Sequence, residues 1–228
     1  MLCAALVLMS AGARAAPSGD VVFGRYIAQI RAHIATGDEL VAQGDWAGAA
    51  PHFGFPTEEI YGIIRDDVRN YKSAPFDDAL RALARTVKER NSRQYPAAKE
   101  KVDKALSIIE ASLRARQPDW PRFMLETAVE LLKTAPDEYE DAIAKARIAR
   151  PIGYQTARGF VLQAQRMIDS VASSLEAKDA SALASIRSAF GQLRRIFPAA
   201  KAPRAPLGDP NAVLSAVSRI ELAAGKLI

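Results

Sequence analysis

Apolar residues recur along this chain at spacings of three and four, and β-branched runs are few, a period that belongs to helices rather than strands. Phe23, Ile27, Ile30, Ile34 and Val41 make one face and predict a helix from Asp20 to Gln43 that Gly44 ends. A short helical piece after Trp46 is expected to stop near Pro51, before the Gly54 and Pro56 interruption. Thr57 then reads as the N-cap of a helix from Glu58 to Tyr71, with Ile60, Ile63, Ile64 and Val68 inward. Further helices are predicted over Phe76 to Glu89 (Leu80, Leu83, Ala84, Val87 inward) and Tyr95 to Arg116 (Val102, Ala105, Ile109, Leu113 inward).

Asp119 caps a helix with Pro121 in its first turn, where proline is tolerated. The stretch Phe123 to Arg147 reads as one long helix kinked at Pro136. Helices from Pro151 to about Ala177, and from a cap at Asp179 to Phe197, complete the main body. No strand is predicted. The expected fold is therefore all-α, an antiparallel helical bundle of about seven to eight helices. The bundle is assigned to residues 16–197 and an extended, proline-rich linker to 198–210. A C-terminal helix over 211–228 is expected to dock on the bundle through Val213, Leu214, Val217, Ile220 and Leu222.

The first residues change the picture of where this bundle works. Leu2 to Met9 is a short apolar run followed by Ala13-Arg14-Ala15, the small-residue pattern of a signal-peptide cleavage site. Residues 1–15 are therefore read as a signal peptide, and the location as periplasmic or secreted. The run is shorter than the roughly 20 residues of a stable membrane span. Cleavage would remove Cys3, the only cysteine, and with it disulfides, cysteine-ligated zinc and thiol chemistry. The formal net charge of +5 is spread along the chain. The basic stretches Arg81 to Arg93 and Lys99 to Lys104 read as solvated helix faces, so no nucleic-acid partner is expected.

Two histidines limit the remaining chemistry. His33 sits at the edge of the first helix's apolar face, either as a core-edge residue satisfied by a neighbouring carboxylate or carbonyl, or as a ligand. His52 lies in Ala50-Pro51-His52-Phe53-Gly54-Phe55-Pro56, read as a compact turn that packs the ring on Phe53 or Phe55 or presents it to a site. Iron and copper accept imidazole and carboxylate ligands, and bundles build such sites from facing helices. His33, His52 and Glu59, with Tyr61 nearby, are accordingly the candidate metal set. Two imidazoles and one carboxylate suit an open or transport site better than a closed structural zinc site.

Other constellations add little. H-E-x-x-H, G-x-S-x-G, C-x-x-C-H and a glycine-rich phosphate loop are all missing, so no enzymatic activity is predicted, and non-covalent haem through His33 or His52 is a remote alternative. Glu126 and Glu130 read as a solvated, salt-bridged face. Tyr139, Tyr154 and Gln155 either line a polar pocket or are buried with their hydroxyls satisfied. Two functional readings stay open: binding or handing on a metal ion, with a metal-transport protein as partner, and an interaction scaffold without a small-molecule site.

Three stretches carry a resemblance: His33-Ile34-Ala35-Thr36-Gly37-Asp38-Glu39-Leu40, His52-Phe53-Gly54-Phe55-Pro56-Thr57-Glu58-Glu59-Ile60-Tyr61, and Pro151-Ile152-Gly153-Tyr154-Gln155-Thr156-Ala157. The chain resembles a group of uncharacterised exported helical proteins of proteobacteria. It is more distantly similar to imelysin-type periplasmic helical bundles, whose His-x-x-Glu motif it lacks. The first resemblance implies a periplasmic location and places His33, His52, Glu59 and Tyr61 on matching positions. Phe55 stands where that group's turn carries another histidine.

Overall fold

The computed structural model describes residues 18–228. The signal peptide expected over residues 1–15 lies outside them. Ser18 opens α1 (Gly19–Ala42) by accepting from the Val21 amide. The helix closes with two reverse bonds, Gly44 N–H to Val41 O and Asp45 N–H to Leu40 O, both 2.9 Å. Gly44 takes a φ of 79° there, which completes a Schellman end. Asp45 then caps α2 (Trp46–Phe55) through the Gly48 amide. A helix end and a helix start thus share two residues, and α2 folds back on α1.

The next stretch departs from expectation. The chain does not turn at Pro51, which lies inside α2. It passes directly into a π-helical turn, Pro56–Ile60. Pro56 has no N–H to offer the carbonyl four residues earlier, and the Thr57 hydroxyl donates to Phe53 O at 3.2 Å instead of capping a new helix. After α3 (Tyr61–Ile64) comes a 3-10 turn, Val68–Tyr71. Ile63, expected inside, is 58% exposed, because the π turn rotates the register of the face. Helices α4 (Asp77–Lys88) and α5 (Tyr95–Arg116) follow the predicted spans.

The predicted long helix from Phe123 to Arg147 is two helices and a hairpin. Helix α6 (Trp120–Leu132) ends at Lys133-Thr134, and Pro136 sits in the first turn of α7 (Ala135–Ala142), where its missing donor costs nothing. A two-residue antiparallel ladder follows, β1 (Ile143–Ala144) on β2 (Arg147–Ile148). The next helix, α8 (Pro151–Asp169), stops short of Ala177. Helix α9 (Ala172–Ile196) is interrupted at Asp179, whose carboxylate caps the Ala182 amide. The last helix is α10 (Pro210–Ala224). Among the described residues there are thus ten α-helical segments, several of them short, in an all-α bundle.

The apolar residues fall into two cores. In one, the α6–α7 column, α8, α9 and α10 pack in a closed ring of four around Leu131, Leu132, Leu183, Ile186, Val213 and Ile220. In α10, Leu214 and Leu222 face outward rather than into this core. The other core is made by α1 to α5 around Ile30, Phe53, Leu83 and Leu106. Helix α1 belongs to both: Ala28 and Ala32 face the first, Ile27, Ile30 and Ile34 the second. The segment expected to be an extended linker is a strap pinned by hydrogen bonds. Tyr154 and Tyr139 donate their hydroxyls to Ala199 O and Gly208 O at 3.0 and 2.7 Å. Both tyrosines are therefore buried aromatics with satisfied hydroxyls.

Candidate metal-handling site at the helix seam

His33 on α1, His52 on α2 and Gln155 on α8 meet where the two cores join. Two glycines allow the approach. A Cβ on Gly37, one turn beyond His33, would stand 2.4 Å from the Phe53 ring, and one on Gly159, one turn beyond Gln155, would stand 2.6 Å from the Thr36 hydroxyl. Beside them Arg158 on α8 donates to both Glu39 oxygens on α1, at 2.7 and 3.2 Å.

The three polar side chains form a buried chain. The Nδ1 atoms of His33 and His52 are 3.2 Å apart, and His52 Nε2 is 3.2 Å from Gln155 Oε1. Gln155 sets the direction of the protons. Its amide nitrogen donates to Ala200 O at 3.3 Å, so its Oε1 accepts from His52. On this network His52 carries its proton on Nε2 and offers Nδ1 as a lone pair. His33 must then donate from Nδ1, and its own lone pair lies on Nε2. Burial, together with the neighbouring His52, pushes the His33 pKa down to about 3. Burial pushes His52 down to about 4, against the opposing hydrogen bond to Gln155. Both rings are neutral at pH 7, the form that can ligate a metal.

His33 is also a wall of a cavity of about 310 Å³ that opens between α1, the π turn, α7 and the start of α8. Glu59, Glu138, Arg150, Thr134 and Thr156 share that wall. Burial raises the Glu138 pKa, with Asp141 and, more weakly, Glu59 adding to the rise and Arg150 opposing it. Phe55, in place of a further imidazole, lies 5.6 Å from the His33 ring centre, and Phe160 meets that ring edge-on.

The four candidate residues are thus only partly brought together. His33 and His52 touch. Glu59 is exposed but lines the same cavity as His33. Tyr61 is turned away: its hydroxyl accepts from the Phe76 amide at 3.2 Å and its ring packs on Phe76. Among the described residues no group of three or more His, Cys, Asp or Glu side chains is gathered to hold an ion. Sequence reasoning missed two members. Gln155 reads in the sequence only as a candidate wall of a polar pocket with Tyr139 and Tyr154, and the pattern does not join Glu138, next to Tyr139, to the histidines. Glu126 and Glu130 pair with Arg122 and Lys133, as a solvated face should.

No helix among the described residues is long and apolar enough to cross a membrane. No curated protein and no solved structure matches the chain. Residues 115–228, half the chain, match the model of an iron permease-associated 4-helix bundle domain. The match spans α6 to α10, the helices that close in a ring of four. The chain therefore belongs to the iron permease-associated 4-helix bundle family.

Proposed function

We propose that this protein is an exported, non-enzymatic accessory of iron transport, which takes up an iron ion at the His33 cavity and hands it to a permease. The observation that carries this reading is the direction of the buried chain. Gln155 and His52 hold His33 so that its remaining lone pair, on Nε2, belongs to a residue of the cavity wall that also bears Glu59 and Glu138. Imidazole nitrogen and carboxylate oxygen are donors that iron accepts. The donor chemistry fits the cargo. His52, with both ring nitrogens engaged, orients His33 rather than ligating. The family match supports the link to iron permeases, and the Ala13-Arg14-Ala15 pattern supports export.

The second reading, an interaction scaffold, draws on the same chain: two neutral, hydrogen-bonded histidines also serve to lock α1, α2 and α8 together. Anaerobic Fe(II) titration of tag-free protein by calorimetry separates the two. The transport reading expects one weak site, lost in His33→Ala and weakened in Glu59→Gln, an exposed position where folding is not at risk. Iron binding that both variants leave unchanged, or none in the wild type, would overturn it in favour of the scaffold.

A further inference from the structure

A second cavity, of about 280 Å³, lies at the other end of the α1–α8 pair and shares no residue with the first. Its walls include Trp120, Phe123, Met124 and Met167, and its polar members include the carboxylate of Glu110 beside Thr127 and Arg166. Two observations set it apart from a packing gap. The Thr127 hydroxyl is buried and has no hydrogen-bond partner, although a helical threonine ordinarily bonds a carbonyl of the preceding turn. Arg166 spends Nε and Nη2 on the uncharged Gln163 Oε1, at 3.2 and 2.8 Å. Its charge is not matched by a carboxylate in the way that Arg31 matches Glu110, the acidic residue of the same wall. An apolar cavity with an exposed cation that no carboxylate pairs at its mouth and an orphaned hydroxyl in its wall suits a small amphipathic acid.

We propose that this cavity binds a small amphipathic monocarboxylate, its carboxylate on Arg166 and its hydrocarbon chain against Trp120, Phe123 and the two methionines. The volume, about 280 Å³, falls just below the roughly 300–1,000 Å³ of small-molecule sites, which limits the chain to a short one. Unbranched thioethers adapt their shape to such a chain. The guanidinium supplies the charge-assisted hydrogen bond that separates an acid from an alcohol of equal length. The inference is independent of the iron reading, and neither depends on the other.

The test uses the full chain with octanoate and octanol as probes, followed by calorimetry and tryptophan fluorescence. Octanoate is expected to bind and to change the fluorescence, and octanol to bind about tenfold more weakly. Arg166→Gln, at an exposed position, removes that difference. Trp120→Phe abolishes the fluorescence change while calorimetric binding persists. No octanoate binding to the wild type, equal affinity for acid and alcohol, or a fluorescence change that survives Trp120→Phe would each overturn the proposal.

Discussion

Helices α6 to α10 and helices α1 to α5 share one long helix and little else in their construction. The C-terminal ring closes around alanine, leucine, isoleucine and valine, and its buried tyrosines end on strap carbonyls. The N-terminal half contains a proline inside α2, a π-helical turn, a 3-10 turn and a positive φ at Lys72. Irregular backbone of this kind costs stability; in the ring it is confined to the Lys145-Ala146 turn and the Asp179 break in α9. It lies beside His52 and the cavity wall, where a π turn shifts the facing of Glu59 and Ile60. The regular half is the one the family match covers. The two halves teach that the ring supplies a rigid edge, Gln155 and Glu138, against which a less regular half places His33, His52 and Glu59.

Gln155 carries the largest test of that division, because it is the ring's one hydrogen-bonding contact with the histidine pair. Gln155→Leu keeps the volume but leaves His52 Nε2–H and Ala200 O without partners. Each buried group left unpaired costs about 1–3 kcal/mol. Roughly 2–6 kcal/mol of stability should be lost in urea unfolding. Nitrogen NMR of the imidazoles should also show the fixed tautomers giving way to a mixture. A loss under about 0.5 kcal/mol, the scale of an ordinary surface substitution, would mean that the two halves are not coupled through this chain.

Acid acts on the same contact with a smaller effect per pH unit. The unfolded histidines titrate near 6.5, whereas burial lowers the folded values of His33 and His52 to about 3 and about 4. Between these limits the unfolded chain binds protons that the folded chain refuses, so stability is full above about pH 6.5 and declines as pH falls. The slope is roughly 1 kcal/mol per pH unit for each ring. Urea unfolding at pH 7, 6 and 5 measures it above the range where most carboxylates titrate. In a His33→Gln, His52→Gln double variant the decline over that window should flatten.

Much of this architecture was legible in the sequence, for a physical reason. Helices such as α1, α4 and α5 declare themselves by apolar spacing and end signals, and both ends of α5 fall where Tyr95 and Arg116 predict. Proximity of His33 and His52 followed from a chain that doubles back after Gly44. What failed was local and depended on partners distant in sequence. Pro51 and Pro56 looked like stops, yet α2 runs through Pro51 with Phe53 packed on Gly37, and Pro56 opens a π-helical turn instead of a break. The open cavity depends on Glu138 and Arg150, brought there by an α6–α7 break that no glycine announced. Tyr61 follows Glu59 closely in sequence, but the π turn sends it to the opposite side.

The smallest expected effect tests the other unannounced feature, the hairpin between α7 and α8. Lys145 and Ala146 both sit in the left-handed region, with φ of 50° and 57°. That is the geometry of a two-residue type I′ turn, which usually announces itself with Asn-Gly. Here a lysine and an alanine adopt it, and the ladder they close is only two residues long on each side. An L-residue held in this region gives up about 1 kcal/mol that glycine would not. Ala146→Gly should therefore stabilise the protein by up to about 1 kcal/mol, less the extra freedom glycine gains in the unfolded chain. The gain should be the same at pH 7 and pH 5, because no titrating histidine touches the turn. A pH-dependent gain would tie the hairpin to the histidine chain, and the regular half would then no longer be a passive edge.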